Sequence, residues 1–319
     1  MKLLPSLIAC SLGLAACGSD EPPQSTLGQT AAVPEVLVDA DWLERNLTNP
    51  NVRILDLGKT RDEFLEGHIP GAQFVDWRSD ITDPAMPGRF NIAPEAMMET
   101  LLGRLGVTRD DTIVLYDNLN SRLSTRILWS LRYYAHPDVR ILDGGIEAWT
   151  RAGKALTSEV EPVITTVYEI GTVNEAYKAD KSFIQSRLGD DDFTLVDGRP
   201  HEQYTGEEPG VVFHTGVEHE SRGHIWGAQN VFWQDNFNPD GTFKSPAELR
   251  ALYEEHGVTA DKTVVTYCNE GLHASPPWFV LKELLGYEYV RLYDDSMAEW
   301  GNASDTAIVV GPHCMPPGN

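Results

Sequence analysis

Cysteine is scarce, with four in 319 residues at positions 10, 17, 268 and 314. That is too few for a disulfide-built scaffold, so the fold must rest on apolar burial. Positive charge is scarce too. Lys and Arg total 25 against 48 Asp and Glu, a formal charge of −23. That balance argues against nucleic acid as a partner, because phosphate binding needs a clustered basic surface. Long apolar runs are missing apart from one at the N-terminus, and that one is too short to span a bilayer comfortably. What the chain does have is core material: 41% hydrophobic residues, with eight Trp, eleven Tyr and ten Phe. Wholesale disorder is therefore excluded, and the length suits two domains of ordinary size.

The N-terminal run reads as an address. Lys2 precedes the apolar stretch 3–16, LLPSLIACSLGLAA, which suits the core of a secretory signal peptide. It closes on Leu14-Ala15-Ala16-Cys17, which resembles the bacterial lipoprotein cleavage box. The resemblance implies cleavage before Cys17 and lipidation of that cysteine; an ordinary signal peptide cleaved nearby is the plainer alternative. Residues 17–33 are polar, small and Pro-containing, as a flexible tether should be. Gly18 rather than Asp after the cysteine implies, for a Gram-negative lipoprotein, the outer membrane facing the periplasm. Membrane association would then be through lipid alone.

Two halves repeat each other. Gly67-His68-Ile69-Pro70-Gly71-Ala72 returns as Gly223-His224-Ile225-Trp226-Gly227-Ala228. Ile113-Val114-Leu115-Tyr116 returns as Val264-Val265-Thr266-Tyr267, and Trp149 as Trp300, both at an offset of 151 residues (267 − 116 and 300 − 149). Asp56 and Asp197 each end a short apolar run. The second half then carries a longer loop, residues 206–222, before its Gly-His-Ile. Short β-branched runs bounded by turn residues alternate with longer amphipathic stretches such as Ser124–Tyr134 and Trp278–Leu285. That alternation predicts an open, mostly parallel α/β sheet flanked by helices in each half. The expected division is a signal peptide at 1–16, a tether at 17–33, a first domain at 34–160, a linker at 161–172, a second domain at 173–305 and a tail at 306–319.

The chemistry-bearing residue is Cys268, which directly follows the second half's central strand and precedes a helix. The loop runs Cys268-Asn269-Glu270-Gly271-Leu272-His273-Ala274, then Ser275-Pro276-Pro277. Parallel sheets place ligands at strand C-termini, and unpaired N–H groups at a helix start stabilise a thiolate or a bound anion. Gly271 lets the backbone curl so that its amides face inward, and Ser275 is the expected N-cap. Position alone leaves two readings open, a nucleophile and an inert buried thiol.

The repeated Gly-His-Ile-x-Gly-Ala motif, the Asp197-Gly198-Arg199 that precedes its second copy, and the cysteine loop together resemble a tandem-domain rhodanese across roughly residues 35–305. That family comprises the thiosulfate and 3-mercaptopyruvate sulfurtransferases. The resemblance implies two rhodanese-like domains with the nucleophile in the second only. Asp117 stands at the position of Cys268 in the first half, and a carboxylate cannot carry a sulfane sulfur, so that half should be catalytically silent. It also implies a ping-pong exchange in which Cys268 takes sulfur from a small anionic donor and passes it to cyanide or a thiol, with no cofactor.

Several residues depart from the family pattern. Asn269 and Glu270 stand where thiosulfate enzymes carry basic residues, and Gln203 stands where a donor-binding arginine is expected. Arg199 and Arg126 are the remaining candidates for substrate contact, and His273 for tuning the thiolate or the acceptor step. His68 and His224, duplicated in both halves, are expected to be structural. His214, His219 and His224 lack any standard metal-ligand spacing, so no metal is expected. Cys314 in the tail is a remote candidate partner for Cys268. Related loops in phosphatases place an arginine six positions after the cysteine, where this chain has Ala274, and this argues against phosphoryl transfer. The rival function is a lipid-tethered carrier of sulfane sulfur with little small-molecule turnover.

Overall fold

The computed structural model describes residues 36–58, 60–86, 90–212 and 215–312. Cys17 and its tether, His214 and Cys314 lie outside the described residues. The first half runs β1 (Leu37–Val38), α1 (Ala40–Asn46), β2 (Val52–Asp56), α2 (Arg61–Glu66), β3 (Ala72–Phe74), α3 (Glu95–Arg104), β4 (Thr112–Tyr116), α4 (Arg122–Tyr133), β5 (Asp138–Leu142) and α5 (Gly145–Arg151). Its strands pair in the order β1-β5-β4-β2-β3, every pair parallel. The central β4 reads TIVLY and is buried from its second residue onward. A strand covered by helices on both faces needs such an unbroken apolar run rather than an alternating one.

The second half repeats this plan. Its elements are β6 (Lys178–Ala179), α6 (Lys181–Arg187), β7 (Phe193–Asp197), α7 (His201–Thr205), β8 (His224–Ile225), β9 (Ala228–Asn230), α8 (Pro246–Glu255), β10 (Thr263–Tyr267), α9 (Ser275–Phe279), β11 (Val290–Tyr293), α10 (Ser296–Trp300) and β12 (Ile308–Val309). Its parallel sheet has the order β6-β11-β10-β7-β9. The repeated motifs occupy matching places. His68 stacks on Phe64 at 3.8 Å and its Nδ1 meets the Phe64 carbonyl at 2.7 Å; His224 stacks on Tyr204 at 3.7 Å and its Nδ1 meets the Tyr204 carbonyl at 2.8 Å. Tyr116 and Tyr267 each accept, at 3.2 Å, the backbone N–H of the isoleucine in the Gly-His-Ile motif of their own half, Ile69 and Ile225. Both histidines are thus buried braces of the fold.

The halves meet around a pseudo-two-fold axis, recognisable because contacts are reciprocal. Asp294 accepts the N–H of Ile92 at 2.9 Å, and Asp143 accepts the N–H of Phe243 at 2.9 Å. Asp143 and Asp294 are repeat equivalents, as are Ile92 and Phe243. Helices α4 and α9 pack on each other across this axis. Leu123–Leu131 of α4 are therefore buried without a break, and so are Ser275–Phe279 of α9. The sequence pattern gives each of these helices one apolar face; in the fold they have a sheet behind and a partner helix in front. One apolar core runs through both halves, including Leu115, Trp129, Trp278 and Phe279. A separate cluster covers the outer face of each sheet.

The connecting segment packs back on the first half, where Thr166 bonds Gly103 and Val107 and buried Tyr168 bonds His136 Nδ1 at 2.7 Å. The expected tail begins inside the second domain, since β12 pairs antiparallel with β8 and Trp300 Nε1 holds the Ala307 carbonyl at 3.1 Å. An additional π-helical turn, Val280–Leu284, prolongs α9, closed by the Leu285 N–H to the Val280 carbonyl at 2.8 Å.

Candidate active site

Strand β10 delivers Cys268 to the C-terminal edge of the second sheet, and the loop that follows folds around its sulfur. The backbone N–H groups of Glu270, Ala274 and His273 are turned toward the Cys268 thiol and favour its thiolate. Ser296 at the start of α10 locks this geometry from beneath. Its Oγ accepts the N–H of Cys268 and of Gly271, each at 3.1 Å, and donates to the Tyr293 carbonyl at 2.7 Å. The Cys268 and Asn269 carbonyls accept from Met297 and Ala298 at 3.1 and 2.8 Å. Gly271 takes φ +85°, the left-handed turn that brings the chain back toward the sulfur. Ser275 is not the N-cap. It is the first helical residue, Ala274 holds the cap position, and the Ser275 hydroxyl donates to the Gly271 carbonyl at 3.0 Å. The Ala274 N–H is directed at sulfur.

The matching loop of the first half carries Asp117 in place of the cysteine. Asp117 Oδ1 accepts the N–H of Leu119 at 2.8 Å and of Ser121 at 3.0 Å; Oδ2 accepts the N–H and hydroxyl of Ser124 at 2.8 and 2.9 Å. Leu119 and Glu270 are repeat equivalents, so one loop amide is turned to the carboxylate in the first half and to sulfur in the second; the other amides differ between the halves. In the first half the acceptor of these N–H groups is thus a side chain of the loop itself.

A cavity of about 150 Å³ opens over Cys268, lined by Pro200, Gln203, Val211, Asn269, Glu270, Leu272 and His273. Asn269 is fixed from two sides: its Oδ1 lies 3.2 Å from His219 Nε2, and its Nδ2 donates to Gln203 Oε1 at 2.9 Å. Burial holds His219 neutral, its pKa lowered to about 4. His273 stacks on Trp233 at 5.0 Å, and burial together with the nearby Arg122 lowers its pKa to about 3. Burial also dominates at the thiol. The amides favour the thiolate, but desolvation, aided by the charge of Glu270, pushes Cys268 from 9.0 to about 11. The resting group at neutral pH is therefore S–H. Alkylation of Cys268 by iodoacetamide should rise roughly tenfold per pH unit between pH 7 and 10; a plateau near neutrality would contradict this.

The rhodanese-like domain family matches this chain twice, over residues 39–152 and 181–303. The chain belongs to the rhodanese family. Among relatives, the sulfur carrier protein TtuD of Thermus thermophilus is 39% identical over 283 residues, covering 88% of this chain and 98% of TtuD. A thiosulfate sulfurtransferase of Corynebacterium glutamicum is 37% identical over 286 residues, covering 88% of this chain and 92% of that protein. Among solved structures, the 3-mercaptopyruvate sulfotransferase SseA of Escherichia coli superposes with a TM-score of 0.70 at 27% identity. The match covers 82% of this chain and 98% of SseA.

Within this rhodanese fold, both arginines expected to contact substrate are committed elsewhere. Arg199 is buried and forks onto Asp197, with Nη2 to Oδ2 at 2.6 Å and to the Gly223 carbonyl at 2.8 Å. The pairing holds its pKa up against burial. Arg126 is also fully buried, with Nη2 2.6 Å from Asp294 Oδ1 and 2.6 Å from the Phe90 carbonyl. It lies under Gly271 and does not line the cavity. In the first half Gly58 stands where Arg199 would be, and Tyr116 donates to Asp56 at 2.5 Å instead. Of the histidines weighed for metal, His219 serves Asn269 and His224 serves Tyr204; among the described residues no group of three His, Cys, Asp or Glu is placed to hold a metal ion. Sequence reasoning misses Arg122, whose Nη1 meets His273 Nε2 at 3.1 Å. The two are separated by 151 residues, the repeat offset itself, and that offset is the signal the sequence offers.

Proposed function

We propose that the chain is a sulfurtransferase moving sulfane sulfur through a Cys268 persulfide, with thiosulfate as the donor and 3-mercaptopyruvate as the second choice. The observation that carries this reading is the convergence of three backbone N–H groups on Cys268 Sγ beneath a small cavity. In the first step Cys268 gives up its proton to solvent and attacks the outer sulfur of the donor. A Cys268 S–S bond forms, the donor's bond to that sulfur breaks, and sulfite or pyruvate leaves. In the second, cyanide or a thiolate attacks the outer sulfur and the Cys268 thiolate departs into the cradle. Each well-aimed amide is worth about 3 kcal/mol where charge develops.

A carrier reading has its own support: the 39% identity to a sulfur carrier protein and a buried thiol whose pKa is raised, both suited to holding a persulfide for a partner. The deciding assay follows thiocyanate from thiosulfate plus cyanide and pyruvate from 3-mercaptopyruvate, with Cys268→Ser as control. Turnover that vanishes in the variant supports the enzyme and ranks the donors. No turnover with either donor, but a mass gain of about 32 on Cys268 from one added sulfur, selects the carrier. Neither turnover nor adduct overturns both.

The same reading places the protein in the bacterial envelope, lipid-anchored at Cys17 and facing the periplasm from the outer membrane. It is supported by the Leu14-Ala15-Ala16-Cys17 box and Gly18. Incorporation of labelled palmitate should be lost in Cys17→Ser, and equal labelling of the two proteins would sink the anchor.

A further inference from the structure

Arg122 belongs to the half that carries no nucleophile, yet its guanidinium reaches the active-site loop. Nη1 lies 3.1 Å from His273 Nε2, and the guanidinium carbon sits 5.6 Å from the Trp233 ring centroid. Trp233 in turn stacks on the His273 ring at 5.0 Å and an interplanar angle of 11°. The ring is thus held by one face and one edge. His273 matters to the chemistry twice over: its backbone N–H is one of the three aimed at sulfur, and the residue lines the cavity. The backbone is held closely too, since a Cβ at Gly198 would lie 2.6 Å from the His273 carbonyl oxygen.

The hydrogen bond to Arg122 decides where the imidazole proton resides. A guanidinium has only donors and stays protonated in proteins. His273 Nε2 must therefore accept with its lone pair, and a neutral ring then carries its proton on Nδ1. Burial beside the arginine's charge keeps the ring neutral through the physiological range. No group among the described residues bonds Nδ1, which leaves that N–H as the ring's open donor.

We infer that Arg122 is a positioning residue for sulfur transfer: it fixes His273 as the Nδ1–H tautomer and so presents a neutral hydrogen-bond donor at the Cys268 cavity. The group it would serve is the anionic leaving portion of the sulfur donor, sulfite or the enolate of pyruvate, which gains charge as the sulfur–sulfur or carbon–sulfur bond breaks. This rests on the transferase reading, and it gives the silent half a chemical task. The repeat explains how the contact arose. Arg122 and His273 occupy the same loop position in the two halves, and equivalent positions near a pseudo-two-fold axis meet each other.

The test reads the tautomer directly. The full chain, labelled with ring-¹⁵N histidine, is observed by long-range ¹⁵N–¹H correlation, with His273→Asn identifying the His273 signals among the nine histidines. The expected pattern is Nδ1–H with an unprotonated Nε2. Arg122→Met should move His273 toward the Nε2–H form and lower kcat about tenfold, the weight of one net hydrogen bond, with KM changed much less. Arg122→Lys, which can still donate, should restore the tautomer and most of kcat, and circular dichroism melts confirm that each variant is folded. An Nε2–H signal at His273 in the wild-type protein overturns the inference, and so does an Arg122→Met protein whose tautomer and kcat are unchanged. If the wild-type protein transfers no sulfur, the transferase reading fails, and the claim that Arg122 serves transfer falls with it. The tautomer spectrum then still shows separately whether Arg122 sets the ring.

Discussion

Replacing Gly271 by alanine should cost sulfur transfer about 10²-fold or more while leaving a folded protein. Two effects combine at this position. The φ of +85° lies in the left-handed region, where a Cβ costs roughly 1–2 kcal/mol. Space is short as well: the added carbon would sit 2.8 Å from Asp294 Oδ1, 2.9 Å from the Asp294 carbonyl and 3.1 Å from Arg126 Nη1. The Asp294 backbone belongs to the turn between β11 and α10 and cannot yield, so the loop must. Any shift there turns the neighbouring N–H groups of Glu270, His273 and Ala274 away from sulfur. One misaimed donor of this kind removes roughly 10²–10³ in rate. Gly227→Ala is the matched control, because Gly227 has φ +84° with nothing within 4 Å of its added Cβ. It should carry the conformational cost and keep its transfer rate. The thiocyanate assay on both variants decides the matter; wild-type turnover in Gly271→Ala would show that the amide cradle is not what drives transfer.

Much of this site is legible in the amino-acid sequence, because its decisive features are local. The Cys268-to-Ala274 run, its glycine and the strand that leads into it are contiguous, and the duplication supplies the comparison with Asp117. The parallel sheets follow from the unbroken apolar runs of β4 and β10. What escapes are residues that act across long sequence separations. His219 reaches Asn269 from the inserted loop 50 residues earlier, and Arg122 reaches His273 from the other half. Arg126 and Arg199 are cations in the right neighbourhood, but charge type says nothing about burial. Each finds a carboxylate from its own fold, Asp294 and Asp197, and a paired buried guanidinium is not available to a substrate. Ser275 has the composition of a cap and the wrong position by one residue, since the N–H preceding it is committed to sulfur.

The buried pair between the halves should be the most sensitive point for stability. Arg126 and Asp294 are both inaccessible to solvent and meet at 2.6 Å, and the guanidinium is sandwiched by Trp129 at 4.6 Å and Phe90 at 5.4 Å. Arg126→Met keeps most of the volume but leaves Asp294 buried, facing the Ile92 N–H and, at 3.9 Å, Lys178. Breaking one side of such a pair costs about 3–5 kcal/mol, because the surviving charge is stranded. At about 2–4 °C per kcal/mol for a chain of this class, the melting temperature should fall by roughly 6–20 °C. One transition is expected rather than two, since a single apolar core runs through both halves. The pair's own worth is a separate question. Arg126→Met combined with Asp294→Leu removes both charges, so the double variant should be more stable than Arg126→Met alone, and the excess over additivity measures the stranded charge. An exposed pair, Arg187 with Asp190 at 2.7 Å, sets the scale: breaking it should change stability by less than about 1 kcal/mol. A calorimetric melt of Arg126→Met that falls by no more than that exposed-pair variant would mean the interface is held by apolar packing alone.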